Sequence, residues 1–174
     1  IPASREQVEH LLENLRLDST LELVERTFGL SLADRYWIND VDAPQRWCDV
    51  NFFDNPWDAG FGLAVLAGDY AALTSCSPDV PEVTTSGHAP KLWERNDDGI
   101  FLVKAAEYPE GAELAGARLA SEMCALLFDE VCYVPLDTVE RCGRPCSISP
   151  LMLGPDEELA DGNRLLAMAG MIDG

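Results

Sequence analysis

Lysine is one of the scarcest residue types in this sequence, as rare as histidine and glutamine. Its 174 residues include only two, Lys91 and Lys104, and arginine supplies the other basic side chains. Acidic residues outnumber basic ones by 31 to 12, so the formal net charge is -19. Nucleic-acid backbones are bound by clustered lysine and arginine. The composition therefore argues against nucleic acid as a direct partner.

Long apolar runs are absent as well. No run approaches the roughly 20 residues of a membrane span, and no basic-then-apolar signal segment opens the chain. We therefore expect a cytoplasmic protein with no membrane partner. With 47% hydrophobic residues, the chain can bury the core of one domain or two small ones. Because it begins with Ile1 rather than Met, we expect it to be a piece of a longer protein.

Cysteine and histidine, the usual ligands of zinc, are few. Of six cysteines, Cys124 falls in a helical pattern and Cys132 in a strand pattern, and no secretory signal is present, so reduced thiols are expected. Cys142 and Cys146 frame Gly-Arg-Pro without a second pair, and only two histidines are available. This spacing indicates a turn between strands, and no metal site is predicted.

The first 74 residues predict a helical N-terminal extension. Ser4–Gln7 and Ser19–Glu22 each match a capping box before an apolar helical pattern, and Gly29 ends the second helix. Residues 31–58 place large aromatic rings among Asp, Asn and Pro, which indicates an irregular segment docked by its rings. A further helix is predicted over 57–67.

Residues 75–174 predict an α+β domain. The pattern indicates a loop over 75–90 and two strands at 91–95 and 100–105, followed by a long helix at 111–128. Strands at 131–136 and 146–149 and a helical tail at 155–171 complete it. This order predicts an antiparallel sheet with a long helix packed on it.

Both lysines lie on the first predicted hairpin. A four-residue loop at 96–99 would place Lys91 opposite Lys104, whereas a two-residue loop at 98–99 would place Trp93 there. In either register strand parity puts Lys91, Trp93, Leu102 and Lys104 on one face. Opposed like charges destabilise a sheet unless a phosphate or carboxylate offsets them. The pattern therefore indicates an anion site.

The segment before the hairpin reads Thr-Thr-Ser-Gly-His-Ala-Pro-Lys over residues 84–91. Such a small-residue loop offers backbone N–H groups and hydroxyls to a phosphate, so Ser86, Gly87 and His88 join Lys91 as candidate site residues. Two plainer interpretations stay open at this point. In the first, the segment is only a loop that connects two elements. In the second, Lys104 is an ordinary strand residue whose charged end reaches water.

Four runs resemble the front part of HipA-like bacterial serine/threonine protein kinases, especially the CtkA-type and mobile-element-associated branch. The similarity covers most of residues 22–155, and Trp47–Asn55 is its most specific part. The four runs are Leu30–Ile38, Trp47–Asn55, Ser77–Lys91 and Ile100–Lys104. In that family this region forms the small kinase lobe, so the resemblance implies a kinase-like small lobe over 75–174.

The resemblance also implies site roles. Lys104 matches the strand lysine that contacts the nucleotide phosphates, and Ser86–Lys91 matches the phosphate-covering loop. Ser149 lies in the approach to the adenine-binding hinge. Where the family usually has a helix glutamate that pairs with the lysine, this chain has Ala117. Glu113, one turn earlier, is the candidate substitute.

The function implied is ATP-dependent phosphorylation of Ser or Thr in a protein substrate, with ATP and magnesium as cofactors of the full-length protein. No catalytic loop or magnesium-binding segment follows Ser149, so the catalytic residues are expected in a C-terminal lobe outside these residues. The chain alone is expected to be inactive and to bind ATP at millimolar affinity at best. The alternative is a non-catalytic, pseudokinase-type module that binds a substrate or regulatory protein or itself has a regulatory role.

Overall fold

A computed structural model of the chain describes residues 9, 12–13, 15–85, 87, 89–108, 111–129, 132–160 and 162–171. The capping box predicted at 4–7 lies outside these residues. The fold is α+β, with a four-stranded antiparallel sheet. Its helices are α1 (Thr20–Arg26), α2 (Trp47–Val50), α3 (Gly60–Ala67), α4 (Ala112–Leu127) and α5 (Gly162–Met168). Its strands are β1 (Lys91–Asn96), β2 (Gly99–Ala105), β3 (Asp137–Arg141) and β4 (Arg144–Pro150), and 3₁₀ turns span Ala72–Ser75 and Pro81–Thr84.

The predicted helix start at Ser19 is confirmed, but the capping box is incomplete, because Glu22 Oε2 accepts from Asp18 N at 2.8 Å rather than from Ser19 N. Ser19 Oγ accepts a hydrogen bond of 3.3 Å from the N–H of Glu22 at the start of α1. The helix is shorter than predicted, with seven residues, and Gly29 lies beyond it with φ +63°. Phe28, one residue earlier, is already left-handed with φ +55°, so the helix has ended before Gly29 is reached.

Helix α3 begins three residues later than predicted. Asp58 Oδ1 accepts a hydrogen bond of 2.8 Å from Gly60 N, which satisfies one free donor of the first turn. Trp57 is not part of the helix, and its indole Nε1 donates to the carbonyl oxygen of Trp93 at 3.3 Å. The ring that the pattern assigned to a helix is therefore an anchor on β1.

The strand order of the sheet is β1-β2-β4-β3, with every neighbouring pair antiparallel. In the first hairpin Asn96 pairs with Gly99 and Lys91 pairs with Lys104. Of the two predicted registers, the one with opposed lysines is confirmed.

The two faces of the sheet are covered by different parts of the extension. On one face Leu92, Val103 and Cys146 pack with Leu66 of α3. On the other, Trp93 and partly buried Leu102 pack with the aromatic-rich segment. The members contributed by that segment include Leu30, Leu32, Phe52, Trp37 and Trp47. The predicted docking by rings is confirmed, and strand parity places the lysines on this second face.

The strand predicted at 131–136 is wrong. The described part of that segment lies outside the sheet, and β3 begins at Asp137. Pro135 has no N–H to donate, and the N–H of Leu136 donates to Ser121 Oγ of α4 at 2.9 Å. The segment is therefore attached to the long helix, and pairing starts only after it.

The helical tail is shorter than the predicted 155–171. Before α5 the chain runs back against the extension, where Leu159 N donates to Ala33 O at 2.8 Å. Asp156 forms an ion pair with Arg35 at 3.0 Å. The six cysteines are unpaired. Among the residues described, no helix combines the length and apolarity that crossing a membrane requires.

Candidate functional site

The two lysines form the centre of the candidate site. Lys104 keeps 45% of its side-chain surface exposed, and its Nζ lies 4.0 Å from Glu107 Oε1. Lys91 is partly buried. Burial lowers the pKa of Lys91, and the positive charge of Lys104 lowers it further. An anion bound beside the two ammonium groups would counteract this lowering of the Lys91 pKa.

Gly87 brings the preceding loop onto Lys91. A Cβ added at Gly87 would lie 2.7 Å from Lys91 Nζ, and its φ is +102°. The positive φ favours glycine, whereas the flexible end of the Lys91 side chain could shift to make room for a Cβ. The loop backbone at Gly87 therefore lies beside the ammonium group of Lys91. The other two loop candidates, Ser86 and His88, lie outside the described residues.

A cavity of about 310 Å³ adjoins Lys104. Glu113 and Ala117 of α4 line it, together with Ser147 of β4. Ser147 is the direct sheet partner of Lys104. The structure thus brings Lys104 and Glu113 to one cavity, but the ion pair described for Lys104 is with Glu107 and not with Glu113.

Ser149 is less closely placed. It pairs with Leu102 on β2, two residues along the same face from Ser147, and is partly buried. It is not among the residues that line the cavity beside Lys104. Leu102 packs against the aromatic segment, so the extension covers this end of the face.

Glu113 holds the turn that follows β2. Its Oε1 accepts hydrogen bonds from the N–H groups of Glu107 at 2.6 Å and Tyr108 at 3.2 Å. Its Oε2 is buried without a hydrogen-bond partner among the described residues. Burial by itself would raise the pKa of Glu113. The backbone N–H groups and the charge of Lys104 outweigh it, so this pKa lies below its ordinary value.

Sequence reasoning missed Glu107 and the two groups that hold the loop. The signal for Glu107 was a carboxylate three residues after Lys104, directly beyond the strand. Glu82 and Thr85 both bind Trp93: Glu82 Oε1 accepts from its backbone N–H at 2.7 Å, and Thr85 Oγ1 accepts from its indole Nε1 at 2.8 Å. No local pattern marks these long contacts.

The chemistry available here is anion binding. Two ammonium groups, one of them open to solvent, stand beside loop backbone and a half-open cavity. Within the described ranges, no group of three or more His, Cys, Asp or Glu side chains is arranged to hold a metal ion. No protein-family model, no curated protein and no solved structure matches the chain.

Proposed function

We propose that this chain is the N-terminal part of a HipA-like, ATP-dependent serine/threonine protein kinase. In this proposal the aromatic extension supports a kinase-like small lobe that holds the nucleotide phosphates. The observation that carries it is the opposed pair Lys91 and Lys104, with the loop backbone at Gly87 brought against Lys91 Nζ.

The order of the elements supports the proposal. The resemblance implies a small lobe over 75–174, where the sequence pattern predicts the order strand, strand, long helix, strand, strand. Elements β1, β2, α4, β3 and β4 follow that order. Lys104 lies near the end of the second strand, and Glu113 lies in the first turn of the helix that comes next. The carboxylate therefore reaches the cavity beside the lysine from one turn earlier than Ala117.

Electrostatics set the strength of binding. A chain of net charge -19 repels a free polyanion at long range, whereas contacts within a Debye length act locally. Magnesium reduces the charge of ATP, so we expect the magnesium complex to bind better than free ATP. With part of a nucleotide cleft contributed by another lobe, the affinity of this chain falls in the millimolar range, about -4 kcal/mol.

Phosphoryl transfer also needs a catalytic base and magnesium ligands. In this proposal the C-terminal lobe supplies them, and the hydroxyl acceptor is a Ser or Thr of a protein substrate. The 174 residues alone would bind the phosphates without transferring one.

The test is a titration of the ¹⁵N-labelled chain with magnesium ATP, followed by amide chemical shifts. We expect saturable shifts at Gly87, Lys91, Lys104 and Ser147, and we expect Lys104→Ala to abolish them. Arg118→Ala is the matched control, because Arg118 is an exposed cation of α4 paired with Glu122 at 3.1 Å. Equal shifts in wild type and Lys104→Ala would remove Lys104 from the site.

A second candidate function rests on one observation. The carboxylate of Glu113 is already engaged by backbone N–H groups, and Ala117 supplies no replacement for it. A lobe without a lysine–glutamate pair suits a non-catalytic, pseudokinase-type module that binds a protein partner. A folded chain with no ATP-induced shifts at any of the four residues would favour this second function.

A further inference from the structure

Glu82 is a buried carboxyl group that the proposed phosphate contacts do not use. It lies in the 3₁₀ turn Pro81–Thr84 with 7% of its surface exposed. Oε1 accepts the hydrogen bond from Trp93 N, while Oε2 has no partner among the described residues. A carboxyl group with one satisfied oxygen in a buried position is unfavourable when ionised.

The surroundings leave this group little room. A Cβ added at Gly62 of α3 would lie 2.5 Å from Glu82 Oε1 and 2.6 Å from Leu92 Cδ1. Helix α3 therefore packs closely against the Glu82 carboxyl group at Gly62. Helix α3 and strand β1 therefore both lie against the Glu82 side chain.

The elements around Glu82 supply little compensating charge. Helix α3 has no titratable side chain, and the titratable residues of α1 are exposed around buried Leu23. The charged residues of β1 are engaged elsewhere. Glu94 binds Arg141 at 2.6 and 3.0 Å, Arg95 binds two backbone carbonyl groups, and Lys91 lies against Gly87.

The same turn leads directly into the candidate phosphate loop. Thr84 Oγ1 donates to Leu30 O at 2.8 Å, and Thr85 Oγ1 accepts the indole bond of Trp93. At the far end, Pro90 O accepts from Ala105 N at 2.9 Å. The loop that carries Gly87 is therefore held at both ends, and Glu82 and Thr85 both fasten its start to one residue, Trp93.

We propose that Glu82 is a proton-controlled positioning residue, which holds the loop onto β1 when neutral and loosens it when ionised. This inference rests on the proposed function, because the loop matters only if the lysine pair binds an anion. Burial raises the pKa of Glu82 to about 7, against the opposing backbone N–H groups of Trp93 and Glu82 itself. The change therefore falls near neutral pH. Neutral Glu82 favours the state in which the loop is held on β1, and with it the binding of an anion.

The binding experiment uses sulfate, which keeps two negative charges throughout the range where inorganic phosphate titrates. Histidine is the side chain whose ordinary pKa lies closest to neutral pH, so the series is run on the full chain carrying His88→Gln. We expect sulfate affinity to fall up to about tenfold between about pH 6 and about pH 8. This limit follows if the Glu82 pKa is near 7 when the loop is held on β1 and about 4.3 when the loop is released and Glu82 is hydrated. Adding Glu82→Gln should flatten the curve.

A ligand-free measurement separates the two proposals. The indole ¹⁵N–H resonance of Trp93 reports its hydrogen bond to Thr85 and should shift with a midpoint near 7 in wild type, but not in Glu82→Gln. Shifts and affinities with the same pH dependence in both proteins would overturn the role of Glu82. If the resonance titrates but neither sulfate nor ATP binds at any pH, the positioning role of Glu82 is supported and the proposed phosphate site is contradicted.

Discussion

Lys91 and Lys104 occupy directly opposed positions on neighbouring antiparallel strands. In a chain with only two lysines, both are thus placed where their charges repel each other. Glu107 and Glu113 lie close to Lys104, and Gly87 lies against Lys91. The repulsion is partly offset in the free chain, and a bound anion would offset it further.

The first prediction concerns this repulsion. Lys104→Ala should raise the pKa of Lys91, because it removes the positive charge that helps to lower it. The value should stay below 10.5, since burial, the larger cause, remains. The pH titration of the lysine side-chain NMR signal measures this. An unchanged Lys91 pKa would show that the two charges do not interact, and Arg118→Ala should leave it unchanged.

The second prediction concerns Glu82 and stability. The folded-state pKa is raised to about 7, so the folded protein binds this proton more tightly than the unfolded chain does. The resulting stability is fully present below about pH 4.3 and is lost as pH rises through about 7. The loss is about 4 kcal/mol at most for a buried group with such a shift.

Urea denaturation across this pH range measures the effect. Glu82→Gln cannot ionise, so the difference in unfolding free energy between variant and wild type should move in favour of the variant as pH rises. The many exposed carboxylates cancel in that difference. A constant difference across the range would contradict the buried, titrating carboxyl group.

The third prediction compares two glycines in helices. Gly62→Ala should destabilise the protein by about 1–3 kcal/mol, because the added methyl group would overlap Glu82 Oε1 and Leu92 Cδ1. Gly116→Ala in α4 has nothing within 4 Å and should stabilise by about 0.5–1 kcal/mol through helix propensity. Thermal and urea unfolding measure both. Equal effects would mean that α3 does not press on the Glu82 turn.

The fourth prediction concerns the attachment of the extension. Arg95 Nη2 donates to Phe52 O at 2.6 Å and Phe53 O at 2.7 Å, and its guanidinium lies 5.0 Å from the ring centre of Trp57. Arg95→Ala should destabilise by about 1–3 kcal/mol.

Arg46→Ala is the control for Arg95→Ala. Arg46 is an exposed arginine paired with Asp49 at 3.7 Å, and its removal should change stability by less than about 1 kcal/mol. Urea denaturation followed by tryptophan fluorescence distinguishes them. Equal stabilities of the two variants would show that Arg95 does not hold the aromatic segment.

Local patterns carried much of the fold. Alternation and turn residues located the first hairpin, helical periodicity located the long helix, and capping residues located α1. Each of these signals depends on neighbours within a few positions. Segment 131–136 shows where this fails. Its apolar run matches a strand, but Pro135 and the hydrogen bond of Leu136 to Ser121 keep it out of the sheet. That contact spans 15 residues and leaves no local signal.

The candidate site also contains residues that local patterns predicted and one that they did not. Lys91, Lys104 and Gly87 could be placed from strand parity and residue size. Glu82 could not, because an exposed and a buried glutamate look alike in sequence. Its burial follows from the packing of α3 through Gly62, and its partner Trp93 lies 11 residues away.

The most direct test of the phosphate site uses the scarcity of lysine. Selective ¹³C labelling of lysine gives two side-chain signals, one from each half of the proposed site. Magnesium ATP should shift both with the same millimolar saturation curve, while adenosine, which lacks phosphates, should shift neither. Two signals that stay unmoved by ATP, or that move equally with adenosine, would contradict the proposal that this lysine pair binds nucleotide phosphates.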